Sequence, residues 1–208
     1  GYTASQSGGF MIPLIGTQMA GSITTGHRMR ATGRYKRSPQ VGFLGIMLSF
    51  ILYATMTAST PFWLIALYFM INGMSVGLCM SPMTVAGQNA ADFRDLGAFT
   101  GTSGFFRSLG GSFGTALLWT ALVLAFGYFL GGNQLGFGPE VLRGGPEALA
   151  DLPANVRATI IPDLTHAFAI TFGIAAVISF IGFVSICFLE EVPLKTTAGK
   201  APVERAGG

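Results

Sequence analysis

The stretch Gly87–Trp119, GQNAADFRDLGAFTGTSGFFRSLGGSFGTALLW, decides how the rest of the chain is interpreted. It begins as a polar, charged segment and continues without a break into an apolar helix. Its glycines keep returning to one side of a 3.6-residue helix, which lets a second helix approach closely in lipid. They are Gly97, Gly101, Gly104, Gly111 and Gly114. The stretch therefore predicts a membrane helix that packs through a glycine stripe.

The composition of the whole chain also indicates a membrane protein. Half of the 208 residues are hydrophobic and 10% are charged, whereas a soluble domain is typically about one quarter charged. No Ser/His/Asp arrangement, HExxH motif or Cys/His cluster is present in the sequence. We therefore expect neither an enzyme nor a bound metal or cofactor.

Long apolar runs predict five transmembrane helices in an all-α fold, because a span needs about 20 apolar residues to cross a hydrocarbon core of about 30 Å. The predicted spans are residues 10–26, 40–58, 62–86, 97–130 and 166–189. Residues 1–189 would form one transmembrane bundle with an external loop at 131–165. Residues 190–208 would form a polar tail that we expect to be disordered.

The loops on the two sides of these spans differ in charge. Five alternating spans put nine of the twelve basic residues on one side. They are Arg28, Arg30, Arg34, Lys36, Arg37, Arg94, Lys195, Lys200 and Arg205. The other side holds Arg143 and Arg157. The positive-inside rule then predicts a multi-pass protein of the cell membrane with a cytoplasmic C-terminus.

The third predicted span carries both small and polar residues. Gly73, Gly77 and Ser81 recur at i, i+4 and i+8 and form a second small-residue face, which Pro82 follows. Polar side chains at membrane depth should face protein or water rather than lipid. Those at membrane depth in the first and third spans are Gln18, Asn72 and Ser75. We interpret these three as candidate cavity residues.

Arg107 stands in an otherwise almost uncharged helix. A 34-residue helix would be roughly 50 Å long, so Arg107 falls about one turn outside the hydrocarbon core. In one interpretation its side chain extends to the headgroups. In the other it pairs with backbone carbonyls or an acid of a neighbouring helix and locks one conformational state. Asp92 and Asp95 are the nearest candidate acids.

Five basic residues in ten form a predicted cytoplasmic loop between the first two spans. They are Arg28, Arg30, Arg34, Lys36 and Arg37. Three interpretations are open: a determinant of topology, a contact for anionic lipid, or a gate that pairs with acids at helix ends. A position between two spans argues against nucleic acid as a partner.

The run QNAADFRDLGAFTGTSGFFRSLGGSFGTAL resembles the multidrug efflux members of the major facilitator superfamily, in particular the fourteen-span drug:proton antiporters. The resemblance rests on an FFR-x-LGGS-x-G signature after a charged loop. Its positions here are Phe105, Phe106, Arg107, Leu109, Gly110, Gly111, Ser112 and Gly114. The run GHRMRATGRYKR resembles the cytoplasmic G-R-x-K turn of that family, and the resemblance covers residues 1–126.

The resemblance implies two pseudo-symmetric six-helix bundles plus two extra spans, with the substrate cavity between the bundles. This chain would supply most of the C-terminal bundle as a fragment of a longer protein. The implied function is export of hydrophobic or cationic small molecules by proton antiport. The implied partners are the lipid bilayer, the substrate, protons and the missing N-terminal bundle, which would hold the coupling carboxylates. Residues 26–37 depart from the family pattern because they contain no acid.

Two other functions remain open from the residues. One is a major facilitator transporter of another solute, such as a sugar, a siderophore or a lipid precursor. The other is a membrane scaffold that transports nothing. The full open reading frame would separate the transporters from the scaffold, because only a transporter needs about nine further spans.

Overall fold

The computed structural model describes residues 8–9, 11–57, 59–130 and 153–189. These residues form five long α-helices, and no strand occurs among them. The helices are α1 (Met11–Thr32), α2 (Arg37–Ala54), α3 (Phe62–Ala90), α4 (Leu96–Leu130) and α5 (Ala154–Cys187). A 3-10 turn, Phe93–Asp95, lies between α3 and α4. The predicted all-α membrane fold is confirmed.

Three segments are long and apolar enough to cross a membrane within the part of the chain that the structure describes. They are Phe62–Ala90, Phe93–Phe129 and Ile160–Cys187, with mean hydropathies of 1.7, 1.7 and 2.4. Helices α1 and α2 do not reach the same combination of length and hydropathy. Polar and basic residues occupy part of each, mainly at the ends where the two helices adjoin. The prediction that these two helices span the bilayer stays a prediction.

The basic loop predicted between α1 and α2 is largely helical, which corrects the sequence interpretation. Helix α1 continues to Thr32, so Arg28 and Arg30 lie on the helix and the turn is confined to residues 33–36. Gly33 ends α1 with φ at 66°, and its N–H donates to the Met29 carbonyl at 2.9 Å. Glycine adopts this left-handed conformation without a Cβ clash. Pro39 lies in the first turn of α2, where its missing N–H costs no helical bond.

The external loop predicted at 131–165 also needs a correction. Its last 12 residues belong to α5, which begins at Ala154 and continues through Pro162. Val156 and Ile160 are buried against Leu122 and Phe126 of α4, so tertiary packing stabilises a segment whose polar residues had indicated a loop. Residues 131–152, and the tail at 190–208, lie outside the described residues.

Helix α3 lies between α1 and α2, α2 packs on α5, and α5 packs on α4. Leu14 lies against Gly73 and Gln18 against Gly77, so α1 and α3 run in the same direction, as alternating spans require. Helix α4 contacts α3 mainly near its own start, where the Phe99 ring meets Gly87. Helix α4 is therefore attached to the rest of the bundle mainly through α5.

An aromatic cluster joins α2, α3 and α5 at the end far from the basic turn. The Tyr53 ring lies 5.3 Å from Phe69 and 5.4 Å from Phe172, centroid to centroid. The Tyr53 hydroxyl donates to the Tyr68 carbonyl at 3.4 Å. Aromatic pairs at such distances contribute about 0.5–1.5 kcal/mol beyond the area they bury. This cluster makes α2, α3 and α5 one packed unit.

Candidate functional site

Helices α1 and α3 touch backbone to backbone at three glycines. A Cβ at Gly77 would clash with the Gln18 carbonyl oxygen, and one at Gly73 would clash with the Leu14 carbonyl oxygen. A Cβ at Gly21 would come within 2.5 Å of the Met74 carbonyl oxygen, closer than any real Cβ contact. The small-residue face predicted on the third span is thus the place where α1 approaches most closely.

Pro82 is also fully buried, but it lies seven residues after Ser75 and so on the α2 side of α3 rather than on the face that meets α1. Its missing N–H leaves the Leu78 carbonyl without the usual helical donor. On α1, Thr25 is also fully buried, and its hydroxyl has no hydrogen-bond partner among the described residues. Gly21, one turn before Thr25, lies opposite Leu78 of α3, so Thr25 lies one turn further along α1. The described part of α1 therefore contains one buried hydroxyl whose hydrogen bond is not satisfied.

We expect Thr25→Val to keep the packing and to remove an unsatisfied hydroxyl, raising the free energy of unfolding by about 1 kcal/mol. Thr171→Val is the matched control, because Thr171 is also buried but donates to the Ala167 carbonyl at 2.9 Å. That change should cost about 0.6 kcal/mol, the usual value of such a bond in a membrane protein. Unfolding of the purified chain in mixed micelles measures both. A loss of stability in Thr25→Val as large as in the control would show that the Thr25 hydroxyl has a partner.

The opposite side of α3 carries a polar contact to α2. The Asn72 side-chain amide donates to the Ser49 hydroxyl at 2.7 Å, and Ser49 donates to the Ile46 carbonyl at 2.7 Å. The buried Ser75 hydroxyl donates to the Ile71 carbonyl at 2.6 Å and lies against Gly45 of α2. The α2–α3 interface is therefore held by hydrogen bonds as well as by close approach.

The three candidate cavity residues are not brought together. Asn72 and Ser75 lie at the α2 interface, whereas Gln18 is half-buried on α1, on the other side of α3. Residues 75 and 77 are two positions apart, which separates them by about 200° around a helix. Asn72 and Ser75 therefore make helix-packing contacts and Gln18 lies apart from them, and the role of the three as cavity residues stays a prediction.

Helix α4 is open along its first two thirds. A Cβ at any of six glycines would meet nothing within 4 Å among the described residues. They are Gly97, Gly101, Gly104, Gly110, Gly111 and Gly114. A shallow groove of about 620 Å³ runs along this part of the helix. Its lining is Ser108, Gly111, Ser112, Thr115, Ala116 and Trp119.

The same side of α4 is covered further along the helix. Leu122 and Phe126 are buried against α5, and they follow Gly111 and Thr115 by 11 residues, close to three full turns. Phe106, Phe113 and Leu124 lie on the opposite side and are exposed. Such a ridge of large apolar side chains suits contact with lipid. The small-residue side and the lipid side of α4 are thus distinct.

Arg107 is exposed on α4 and forms no ion pair with the acids in the described ranges. Asp95 precedes it by 12 residues along a helical stretch, a separation of about 18 Å. The interpretation that Arg107 pairs with Asp92 or Asp95 is therefore wrong for this structure. Two interpretations of Arg107 stay open: its side chain extends to the headgroups, or it pairs with an acid in another segment.

The sequence analysis did not identify three glycines that approach a neighbouring helix as closely as Gly73 and Gly77 do. Gly21 contacts α3, and a Cβ at Gly42 or Gly45 would clash with Cys79 or Ser75 of α3. The spacing Gly42-x-x-Gly45 is a small-residue signal and could have indicated the α2–α3 contact. Gly21 lies four residues after Thr17 and four before Thr25, a small-residue spacing that could have indicated the α1–α3 contact.

Proteins related in sequence extend over nearly the whole chain. It is 32% identical over 195 residues to an uncharacterized MFS-type transporter of Mycobacterium tuberculosis, an alignment that covers 93% of this chain. It is 26% identical to a tetracycline resistance determinant of Streptomyces rimosus, over 100% of this chain and 68% of that protein. A multidrug resistance protein of Schizosaccharomyces pombe is 26% identical, over 95% of this chain and 39% of its own length.

The small-residue helix contacts and the three apolar segments define a multi-pass α-helical membrane protein. The chain belongs to the major facilitator superfamily, as the relatives indicate. It spans only 28% of the length of the mycobacterial relative. No protein-family model and no solved structure matches it.

Proposed function

We propose that this chain is the C-terminal bundle of a secondary active transporter that exports hydrophobic or cationic small molecules. Protons would be the coupling ion, and export would proceed by alternating access. The names of the Streptomyces and Schizosaccharomyces relatives, which refer to tetracycline and multidrug resistance, support this direction of transport and this class of substrate. In this proposal residues 1–189 form the bundle in the cell membrane, all five helices span it, and the tail at 190–208 is cytoplasmic.

The observation that carries the proposal is the open small-residue side of α4. Helices α1, α2 and α3 approach to backbone contact, whereas a Cβ at any glycine in the first two thirds of α4 would meet nothing within 4 Å among the described residues. A glycine stripe at membrane depth suits close contact with a further helix, whereas large side chains suit lipid. The N-terminal bundle of the same transporter is the partner that we propose for this side.

The proposal assigns different mechanical roles to the two small-residue faces. The α1–α3 face has no spare space, so α1, α2 and α3 would move as one rigid unit. The α4 stripe has no side chains to interlock, so a partner helix could tilt against it when the bundles rock. Gly73, Gly77, Ser81 and Pro82 would belong to the rigid unit, and the stripe from Gly97 to Gly114 to the moving contact. Arg107 would lie within that contact, near the cytoplasmic headgroups.

The chemistry of the helices supports an apolar substrate. Apart from Arg107, α4 carries no charge in the described residues, and Met80 and Met83 of α3 are exposed. Methionine and phenylalanine adapt to apolar molecules of varied shape. None of the predicted spans contains Asp or Glu, so the group that binds the proton would lie in the N-terminal bundle.

The test uses the full open reading frame that contains these residues, expressed in a bacterial host deleted for its own multidrug exporters. We expect lower accumulation of ethidium and tetracycline than in cells with an empty vector. Nigericin, which collapses the proton gradient, should abolish the difference. The 208-residue chain alone is the control and should not transport, because the cavity needs both bundles.

Other outcomes would decide against the proposal. Unchanged drug accumulation, with gradient-dependent uptake or release of a sugar or siderophore, would favour the transporter of another solute. An open reading frame without about nine further spans would favour the scaffold. Drug efflux by the 208-residue chain alone would contradict the need for a second bundle.

A further inference from the structure

The turn between α1 and α2 and the helix ends that flank it present a concentrated positive charge. Of the five basic residues at 28–37, four are exposed and Lys36 is half-buried. The four are Arg28, Arg30, Arg34 and Arg37. None of the five forms an ion pair with an acid within residues 11–57, 59–130 or 153–189. We call these five residues the basic cluster.

The backbone beneath the basic cluster is fixed to the bundle. Tyr35 is 3% exposed, and Pro39 is fully buried. The Cys79 thiol of α3 donates to the Pro39 carbonyl at 3.6 Å. Gly33 closes α1 through its bond to Met29. The cations are therefore displayed on a rigid support, so binding a ligand orders side chains but not the turn itself.

The basic cluster adjoins the apolar surface of the bundle. Ile23, with an exposed side chain, lies five residues before Arg28, about 8 Å along α1. Val41, also exposed, lies four residues after Arg37, about 6 Å along α2. Exposed apolar side chains on both helices mark where lipid tails lie, so the cations are at headgroup depth on that surface.

The chemistry of the cluster fits a phosphodiester. Four of its five members are arginines, whose planar guanidinium groups bind phosphate through two parallel hydrogen bonds. Helix α2 begins at Arg37 with no acid in its first turn and no side-chain cap, so its N-terminal N–H groups add positive potential at the same place. We propose that the basic cluster binds the headgroups of anionic phospholipids at this end of the bundle.

This inference does not depend on transport. A topology determinant needs only net positive charge, and it would show no preference among lipids once the chain is inserted. A headgroup site instead selects anionic over zwitterionic lipid. Binding would hold the α1–α2 turn at the membrane surface while other helices move.

The test places the full chain in nanodiscs that contain equal amounts of phosphatidylglycerol and phosphatidylcholine, and native mass spectrometry counts the lipids that remain bound. We expect phosphatidylglycerol to be retained about tenfold over phosphatidylcholine. The variant Arg28→Gln/Arg30→Gln/Arg34→Gln/Arg37→Gln should lose this preference. The matched control Arg94→Gln/Lys195→Gln/Lys200→Gln/Arg205→Gln removes the same charge elsewhere and should keep it.

A double variant, Arg34→Gln/Arg37→Gln, guards against misinsertion of the quadruple variant. It keeps three members of the cluster and should lower the retention ratio to about a third of the wild-type value. An unchanged ratio in the double and quadruple variants would overturn the proposal. Equal loss in the charge-matched control would show a general charge effect and overturn it as well. So would full displacement of phosphatidylglycerol by inorganic phosphate, which would show a free-anion site.

Discussion

Gly77→Ala is expected to force α1 and α3 apart and to lower the free energy of unfolding by about 1–3 kcal/mol, the usual cost of overpacking. A Cβ at Gly77 would clash with the Gln18 carbonyl oxygen and come within 2.9 Å of the Ser22 nitrogen. Both atoms belong to a helix backbone, so neither can rotate away as a flexible side chain would. The clash outweighs the gain of up to about 1 kcal/mol from replacing glycine with alanine in a helix.

Gly16→Ala is the matched control for this change. Gly16 also lies within a helix, α1, but its Cβ would meet nothing within 4 Å among the described residues. This variant should be as stable as the wild type or slightly more stable. Unfolding of the purified chain in mixed micelles, followed by circular dichroism, compares the two. Equal stability of Gly77→Ala and Gly16→Ala would disprove the backbone contact between α1 and α3.

Gly111→Leu is expected to abolish drug export by the full-length transporter, with at least about a tenfold loss, if the stripe contacts the N-terminal bundle. Gly111 lines the groove on α4, and a leucine there would fill the space for a closely packed helix. Because a Cβ at Gly111 would meet nothing within 4 Å among the described residues, the fold of this bundle should not change. The loss would therefore fall on transport, measured as ethidium efflux per molecule of transporter in the membrane.

Gly110→Leu is a stringent control because it makes the same chemical change one residue away. Gly110 is 100° from Gly111 around the helix and does not line the groove. Its Cβ also meets nothing within 4 Å in the described part of the chain. Transport by Gly110→Leu should match the wild type. Equal loss in both variants would show that the whole circumference of α4 is constrained, and equal activity would show that the stripe contacts no helix.

The sequence predicted the elements well where hydropathy and helix signals agree. Helix α4 was expected at 97–130 and runs from Leu96 to Leu130, because an unbroken apolar stretch follows a charged turn. The predicted helix boundaries were wrong where a helix extends into a predicted loop. Arg28 and Arg30 are polar enough to indicate a loop, yet helix α1 includes them, since helix formation follows backbone hydrogen bonding rather than hydropathy. Residues 154–165 were assigned to the external loop, whereas packing of Val156 and Ile160 on α4 makes them the start of α5.

The candidate site was predictable only where a repeat revealed it. The spacing of Gly73 and Gly77 indicated a contact face before any partner was known, and the structure shows that α1 is the partner. The sequence identified Asn72 and Ser75 as polar side chains at membrane depth that need hydrogen-bond partners. Their acceptors are Ser49 of α2 and the α3 backbone, and nothing in the sequence pairs position 72 with position 49.

The sequence by itself determined that this is a helical membrane protein with a basic turn and two small-residue faces. Composition, helix period and charge distribution are local properties, so they can be read without knowing which helices are neighbours. Only the tertiary structure decided that one small-residue face is filled by α1 while the stripe on α4 stays open. That difference depends on which helices meet, and glycine spacing specifies the possibility of a close contact without specifying the partner.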